Sequence, residues 1–195
     1  MITLFTGLCK TALKFFSGEK IFQEASKAFR HYGERCPACN AFGKLTPYGA
    51  YSRNLVDYID GQIVESRVET CRFKCGSCKV THALIPHILN PYSPHTLRFK
   101  LVVLIAYFER KMTVANICER FNIAVSTLYE WKKLFLNHKE LLIIIFLKHK
   151  KPALEFLKGL LESDRLSDEL HEFFRRYALP FLKRKTSVTT HSVPP

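Results

Sequence analysis

Residues 112–135 read MTVANICERFNIAVSTLYEWKKLF, and their apolar spacing decides how the rest of the chain is organised. Ile117 and Phe121 form one group, Leu128, Trp131 and Leu134 a second, and Ile123 lies between them. The pattern breaks at Asn122-Ile123-Ala124 and resumes in a new phase, which predicts a helix, a short turn and a second helix in helix-turn-helix geometry. Thr113 is placed to cap the first helix and Ser126 the second, each hydroxyl accepting an orphan backbone N–H. Asn122 tolerates the left-handed backbone that such a turn needs. Cys118 reads as a small buried hydrophobe where the two helices approach.

In the second helix, expected over residues 125–137, Leu128, Trp131 and Leu134 face inward at three-residue spacing. The outward set is Ser126, Thr127, Tyr129, Glu130, Lys132 and Lys133. Ser126 and Thr127 sit at the helix start, where free N–H groups favour phosphate. Tyr129, Glu130 and Lys133 lie on the face that would look into a major groove. The same pattern also fits a structural helical hairpin whose polar face is simply wet.

Charge separates these readings. The chain carries 30 Lys and Arg against 17 Asp and Glu, a net charge of +13 that favours a polyanionic partner. Residues 91–150 hold ten basic and four acidic side chains, the largest excess of any part of the chain. A charge kept only for solubility would be spread more evenly. No secretory signal is apparent, because Lys10 and Lys14 interrupt the N-terminal apolar stretch. The apolar run 141–147 is far shorter than the ~20 residues of a membrane span. The expected setting is therefore cytoplasmic and, with DNA as partner, nucleoid-associated. There, seven cysteines do not imply disulfides.

Upstream, residues 31–90 change character. Cys36-Pro37-Ala38-Cys39 opens a region of turn residues and β-formers, and Cys75-Gly76-Ser77-Cys78 closes it. Strands are expected over 44–51, 53–59, 62–73 and 80–84, with Asp60-Gly61 as a two-residue hairpin turn. Two Cys-x-x-Cys knuckles that flank a hairpin predict a zinc ribbon, in which Cys36, Cys39, Cys75 and Cys78 bind one structural Zn2+ as thiolates. The hairpin has little core of its own, so the metal would supply much of its folding free energy. Redox chemistry is the rival reading of Cys-Pro-x-Cys, but no βαβ pattern surrounds it. Cys71 reads as a buried thiol, although it or His82 could replace a ligand. A closed four-sulfur shell leaves no open position for a substrate.

Residues 1–30 read as two short amphipathic helices. Ser93 and Pro94 predict the cap and first residue of a supporting helix running to Arg110, as a trihelical DNA-binding domain requires. Beyond Asn137, helices are expected over 140–150, 152–161 and 167–179, the last capped by Ser167. Residues 141–147 are apolar all round and should be buried in the bundle or against a second copy. Residues 186–195 read as a disordered tail.

The run Cys71-Arg72-Phe73-Lys74-Cys75-Gly76-Ser77-Cys78-Lys79, followed by Ala83-Leu84-Ile85-Pro86, resembles the N-terminal zinc ribbon of bacterial insertion-sequence transposases. In those proteins a helix-turn-helix follows directly, and residues 112–135 are similar to that module. The resemblance is nearest to a small uncharacterised bacterial family that lacks the catalytic core, and it covers residues 31–137. It implies zinc on the four cysteines and entry of residues 126–133 into DNA. Such transposases cut DNA with an acidic triad on an α/β domain. Residues 138–195 show no strand pattern, and Glu155, Glu162, Asp164, Asp168, Glu169 and Glu172 read as solvated helix faces, so the chain is not expected to be an enzyme.

The fold class expected is α+β: N-terminal helices (1–30), a β-rich zinc ribbon (31–90), a helix-turn-helix domain (91–137), C-terminal helices (138–185) and the tail (186–195). The expected function is sequence-preferring binding of double-stranded DNA through helix 125–137. A second copy or a separate recombinase is the further partner considered, and no membrane is involved. The alternative is a zinc-ribbon adaptor that binds a protein such as that recombinase.

Overall fold

The computed structural model describes residues 2–6, 17–86, 89, 93–146, 151–163, 165–177 and 179–183. Its elements are β1 (Ile2–Thr6), α1 (Gly18–Ala28), β2 (Leu45–Ile59), β3 (Gln62–Cys75), β4 (Thr81–Pro86), α2 (Leu97–Glu109), α3 (Val114–Arg120), α4 (Val125–Phe146), α5 (Ala153–Glu162) and α6 (Leu166–Tyr177). The fold is thus α+β. The strands form one sheet in the order β1-β4-β3-β2, antiparallel except for β1, which runs parallel to β4.

The N-terminus departs from expectation. Ile2–Thr6 is a strand and not the start of a helix. Its β-branched and aromatic composition suits extended backbone, and the outer edge of β4 offers it a partner from Ile2↔His82 to Thr6↔Pro86. The remainder of the first expected helix lies outside the described residues. The second is α1, capped by Ser17, with Ile21, Phe22 and Ala25 buried.

β2 and β3 form one long hairpin. The two strands expected over 44–51 and 53–59 are a single strand, which absorbs an irregularity between Pro47 and Gly49 as a bulge, with Gly49 at φ 126°. The turn is as expected: Asp60 and Gly61 both adopt positive φ, 48° and 82°. The hairpin tip reaches the helical half, where the Tyr58 ring lies 5.5 Å from that of Phe121 and Arg120 donates to the Tyr58 hydroxyl at 3.3 Å.

α2 begins later than Ser93-Pro94 suggested, with Thr96 as its cap. Residues 94–96 are held extended along β2, since Val56 N–H donates to the Pro94 carbonyl and Thr96 N–H to the Val56 carbonyl, both at 2.9 Å. The Thr96 hydroxyl accepts from Phe99 N–H and donates to Asp57 Oδ1 at 2.7 Å, so a distant carboxylate selects the cap. Gly18 packs tightly at this junction: a Cβ there would lie 2.6 Å from Thr96 Cγ2.

α3 and α4 follow one another across a short turn. Thr113 caps α3 by accepting from Asn116 N–H at 3.2 Å, and Asn122 turns the chain at φ 48°. Cys118 is buried beneath the turn. Ser126 lies in the first turn of α4 and not at its cap, because the helix starts at Val125.

α4 is also longer than expected. No Gly or Pro interrupts it, and Leu128, Trp131, Phe135, His138 and Leu142 continue one buried stripe at alternating three- and four-residue spacing. Helices 125–137 and 140–150 are therefore one element as far as Phe146, and Phe135 takes the interior place assigned to Leu134. Of the run 141–147, the last three side chains lie outside the described residues; among the others burial is not all round, since Leu142 is buried but Ile144 is 65% exposed.

α5 and α6 close the bundle. In α6, Leu166, Leu170 and Phe173 are buried, with Asp168 and Glu169 in the first turn and Arg175 and Arg176 in the last, as the helix dipole favours. The helix starts at Leu166, so Ser167 lies within it. Glu169, expected on a wet face, is buried because it adjoins this stripe, and Asp164 lies outside the described residues. The tail 186–195 lies outside them as well. No helix among the described residues is long and apolar enough to cross a membrane.

Candidate functional site

The two Cys-x-x-Cys segments fold into matching knuckles. At the first, Asn40 N–H donates to the Cys36 carbonyl at 2.8 Å and Cys36 N–H to the Ala41 carbonyl at 3.0 Å. At the second, Lys79 N–H donates to the Cys75 carbonyl and Cys75 N–H to the Val80 carbonyl, both at 3.0 Å. Asn40 and Lys79 take the left-handed backbone that closes each loop, at φ 60° and 63°. Gly76 N–H bonds the Lys44 carbonyl at 2.8 Å and ties the second knuckle to the strand that leaves the first.

This geometry brings the Sγ atoms of Cys36, Cys39, Cys75 and Cys78 within 4.8 Å of one another. Cys36 and Cys78 are 3.7 Å apart, as are Cys39 and Cys75. A tetrahedron with metal–sulfur bonds of ~2.3 Å has edges of about 3.8 Å, so the four atoms stand where one tetrahedral metal would hold them. A disulfide would need a separation near ~2.05 Å, and all four cysteines are free thiols.

The electrostatics point the same way. The Cys78 backbone N–H beside Cys75 stabilises its thiolate and draws its pKa down to about 6. Cys78 is pushed up to about 12: the Val80 backbone N–H favours its thiolate, but burial and the neighbouring cysteine sulfurs outweigh it. Such a cluster accepts its first negative charge readily and its last only with a cation at the centre. Apolar support is small, comprising Phe29, Leu45, Phe73 and Leu84 around the cysteines.

Neither reserve ligand joins the four. Cys71 is half-buried against this small core. His82 is fully buried, with Nε2 3.3 Å from Cys36 Sγ, where it holds the sulfur by a hydrogen bond and orients it.

The second group of expected site residues lies on α4. Ser126, Tyr129, Glu130 and Lys133 are exposed on one side of the helix, Tyr129 by 45%. Opposite them, Leu128, Trp131 and Phe135 anchor the helix in the core. Thr127 and Lys132 are set apart from this face, both half-buried. Lys132 Nζ donates to the Tyr107 hydroxyl at 2.7 Å and lies 4.8 Å from the centre of that ring and 5.6 Å from that of Tyr129. Its ammonium is thus turned toward the end of α2.

Part of the segment that carries these two groups matches a family model.

Residues 36–131 match the family described as a domain of unknown function, DUF6431.

The match begins at the first knuckle cysteine and ends at Trp131, so it spans both knuckles, the hairpin, α2, α3 and the first turns of α4. No curated protein and no solved structure matches the chain.

Two features escaped the sequence reading. Asp57 is a buried carboxylate at the junction of α1, β2 and α2, and Lys100 is a buried ammonium within α2. The sole signal for either is a charge set between apolar neighbours, Val56 and Tyr58 for one, Phe99 and Leu101 for the other. Surface residues share that signal.

Proposed function

We propose that the protein is a non-enzymatic, sequence-preferring DNA-binding protein in which the N-terminal half of α4 reads the major groove and a zinc ribbon braces it. The observation that carries this reading is the exposed face Ser126, Tyr129, Glu130 and Lys133, on a helix whose other side is locked into the core. Base reading needs such a rigid, polar, solvent-facing helix after a tight turn. Basic character is greatest over residues 91–150. Relation to transposase DNA-recognition regions rests on the resemblance of the ribbon and helix-turn-helix sequences.

Zinc is the metal proposed for the four cysteines, because soft thiolates in a closed tetrahedral shell suit it. Its role is structural. The hairpin it braces touches the turn of the helix-turn-helix through Tyr58 and Phe121, which would hold α3 and α4 at a fixed tilt.

Selection of bound sites from a random duplex library tests the proposal. Enrichment of a defined motif, lost in a Tyr129→Ala, Lys133→Ala chain, is expected; affinity equal to that for random DNA removes sequence preference, and no binding removes the class. The adaptor reading draws on Tyr32 and Phe42, which are exposed on the ribbon by 64% and 59%. It would be favoured by a recombinase partner that stays bound to the Tyr129→Ala, Lys133→Ala chain and leaves the Tyr32→Ala, Phe42→Ala chain.

A further inference from the structure

A cavity of about 330 Å³ lies beside the start of α4, on the side away from Tyr107 and Lys132. His95, Lys100, Thr127, Glu130, Trp131 and Lys183 are among its polar and aromatic lining. Lys100 is 2% exposed, yet its ammonium has no hydrogen bond or ion pair among the described residues. It lies 5.4 Å from the centre of the Trp131 ring, a wall of the same cavity. An ammonium so largely enclosed, with no acceptor beside it, favours an anion that reaches it through the cavity.

We propose that this cavity is a binding site for a phosphate group, with Lys100 as its charged anchor and Thr127 and Lys183 completing the grip. Thr127 stands in the first turn of α4, a helix of 22 residues, where backbone N–H groups lack intrahelical partners and the dipole is positive. The Thr127 hydroxyl adds a donor that a tetrahedral oxyanion can use. Lys183 brings a second ammonium from the C-terminal turn, and Arg53 acts on Lys100 from β2. Glu130 is the single acid in the lining. Burial holds the His95 pKa near 4, so its ring is neutral and offers one N–H. The volume is at the lower end of small-molecule sites, enough for a phosphate with its organic substituent. Burial, with help from Arg53 and against Glu130, lowers the Lys100 pKa to about 7, so the anchor is charged in mildly acidic solution.

The phosphate has two sources, a free small molecule or the backbone of a bound duplex; the second rests on the DNA-binding reading and the first does not. Trp131 is the single tryptophan of the chain, so its emission reports the cavity directly. The full metal-loaded protein is titrated with inorganic phosphate at pH 6.5, with chloride holding the ionic strength constant. A saturable change in emission is expected, weakened roughly tenfold or more in Lys100→Met and by a smaller factor in Thr127→Val. No saturable change, or affinities unaltered in both variants, overturns the site. Should Lys100→Met fail to fold, Thr127→Val and Lys183→Ala decide by the same criterion. Repeating the titration with saturating duplex separates the sources: a suppressed response assigns the phosphate to the backbone, and an intact one to a free molecule. If no duplex binds at all, the DNA-binding reading fails and the phosphate titration still decides the cavity.

Discussion

Arg98 grips Asp57 across the junction of the sheet and the helical half, with Nη2 2.9 Å from Oδ2 and both side chains largely buried. Asp57 also accepts from Gly18 N–H and the Thr96 hydroxyl, each at 2.7 Å, and from its neighbour Tyr58 N–H at 2.8 Å. One carboxylate therefore ties the starts of α1 and α2 to β2. Replacing it removes the charge that Arg98 faces and three neutral donors' acceptor together. Asp57→Ala is expected to destabilise by about 3–5 kcal/mol, the range for breaking a buried pair by loss of one partner. Urea unfolding of the metal-loaded chain measures it; a loss below ~1 kcal/mol would mean that the junction is held by packing alone.

Metal removal should be felt well beyond the knuckles. Structural zinc contributes about 10–16 kcal/mol to small metal domains, as large as the ~5–15 kcal/mol net stability of a typical domain. Chelation is expected to abolish the strand signal in circular dichroism and to lower the melting temperature, and elemental analysis to give one zinc per chain. Cys75→Ser should bind none. Circular dichroism and melting unchanged after complete removal would end the structural-metal reading.

Stability should fall in mild acid. Burial lowers the His138 pKa to about 4, and its Nδ1 accepts from Leu182 N–H at 3.0 Å, which requires the neutral ring. In the unfolded chain the same ring titrates near ~6.5. Between these values the unfolded state binds more protons, so stability rises with pH. The contribution is complete above about 6.5 and is lost as pH falls toward about 4, and His95 acts in the same direction. Melting temperatures measured from pH 7.5 to 4 should decline over this window, and less steeply in His138→Gln. Equal slopes in the two proteins would remove the assignment to His138.

The two lysines of α4 should behave differently on DNA. Lys133 is exposed, whereas Lys132 is engaged with Tyr107. If Lys133 meets a phosphate, Lys133→Ala lowers the slope of log affinity against log salt by about one unit. Lys132→Ala is expected to change that slope less, since its ammonium must first leave the tyrosine hydroxyl. Salt titrations on one duplex compare them, and a larger slope change for Lys132 would reverse the assignment.

What the amino-acid sequence determined by itself was a set of features fixed by neighbours a few residues apart. Cysteine spacing forced the knuckles, Asp60-Gly61 the hairpin turn, Thr113 a helix cap and Asn122 the left-handed turn, because each acts through backbone geometry within reach of its own side chain. The exposed face of α4 was legible for the same reason: helical period alone opposes Tyr129 and Lys133 to Leu128 and Trp131.

Tertiary structure decided what distant surfaces compete for. Ile2–Thr6 became a strand because β4 had an edge to fill, Thr96 displaced Ser93 as a cap because Asp57 reached it, and Phe135 displaced Leu134 because the stripe of α4 follows its packing partners. Lys100 was enclosed by elements from β2 to the C-terminal turn, most of them far from it in the chain. Such burial depends on contacts across the whole fold, and no local pattern distinguishes the lysine that ends inside from one left in water.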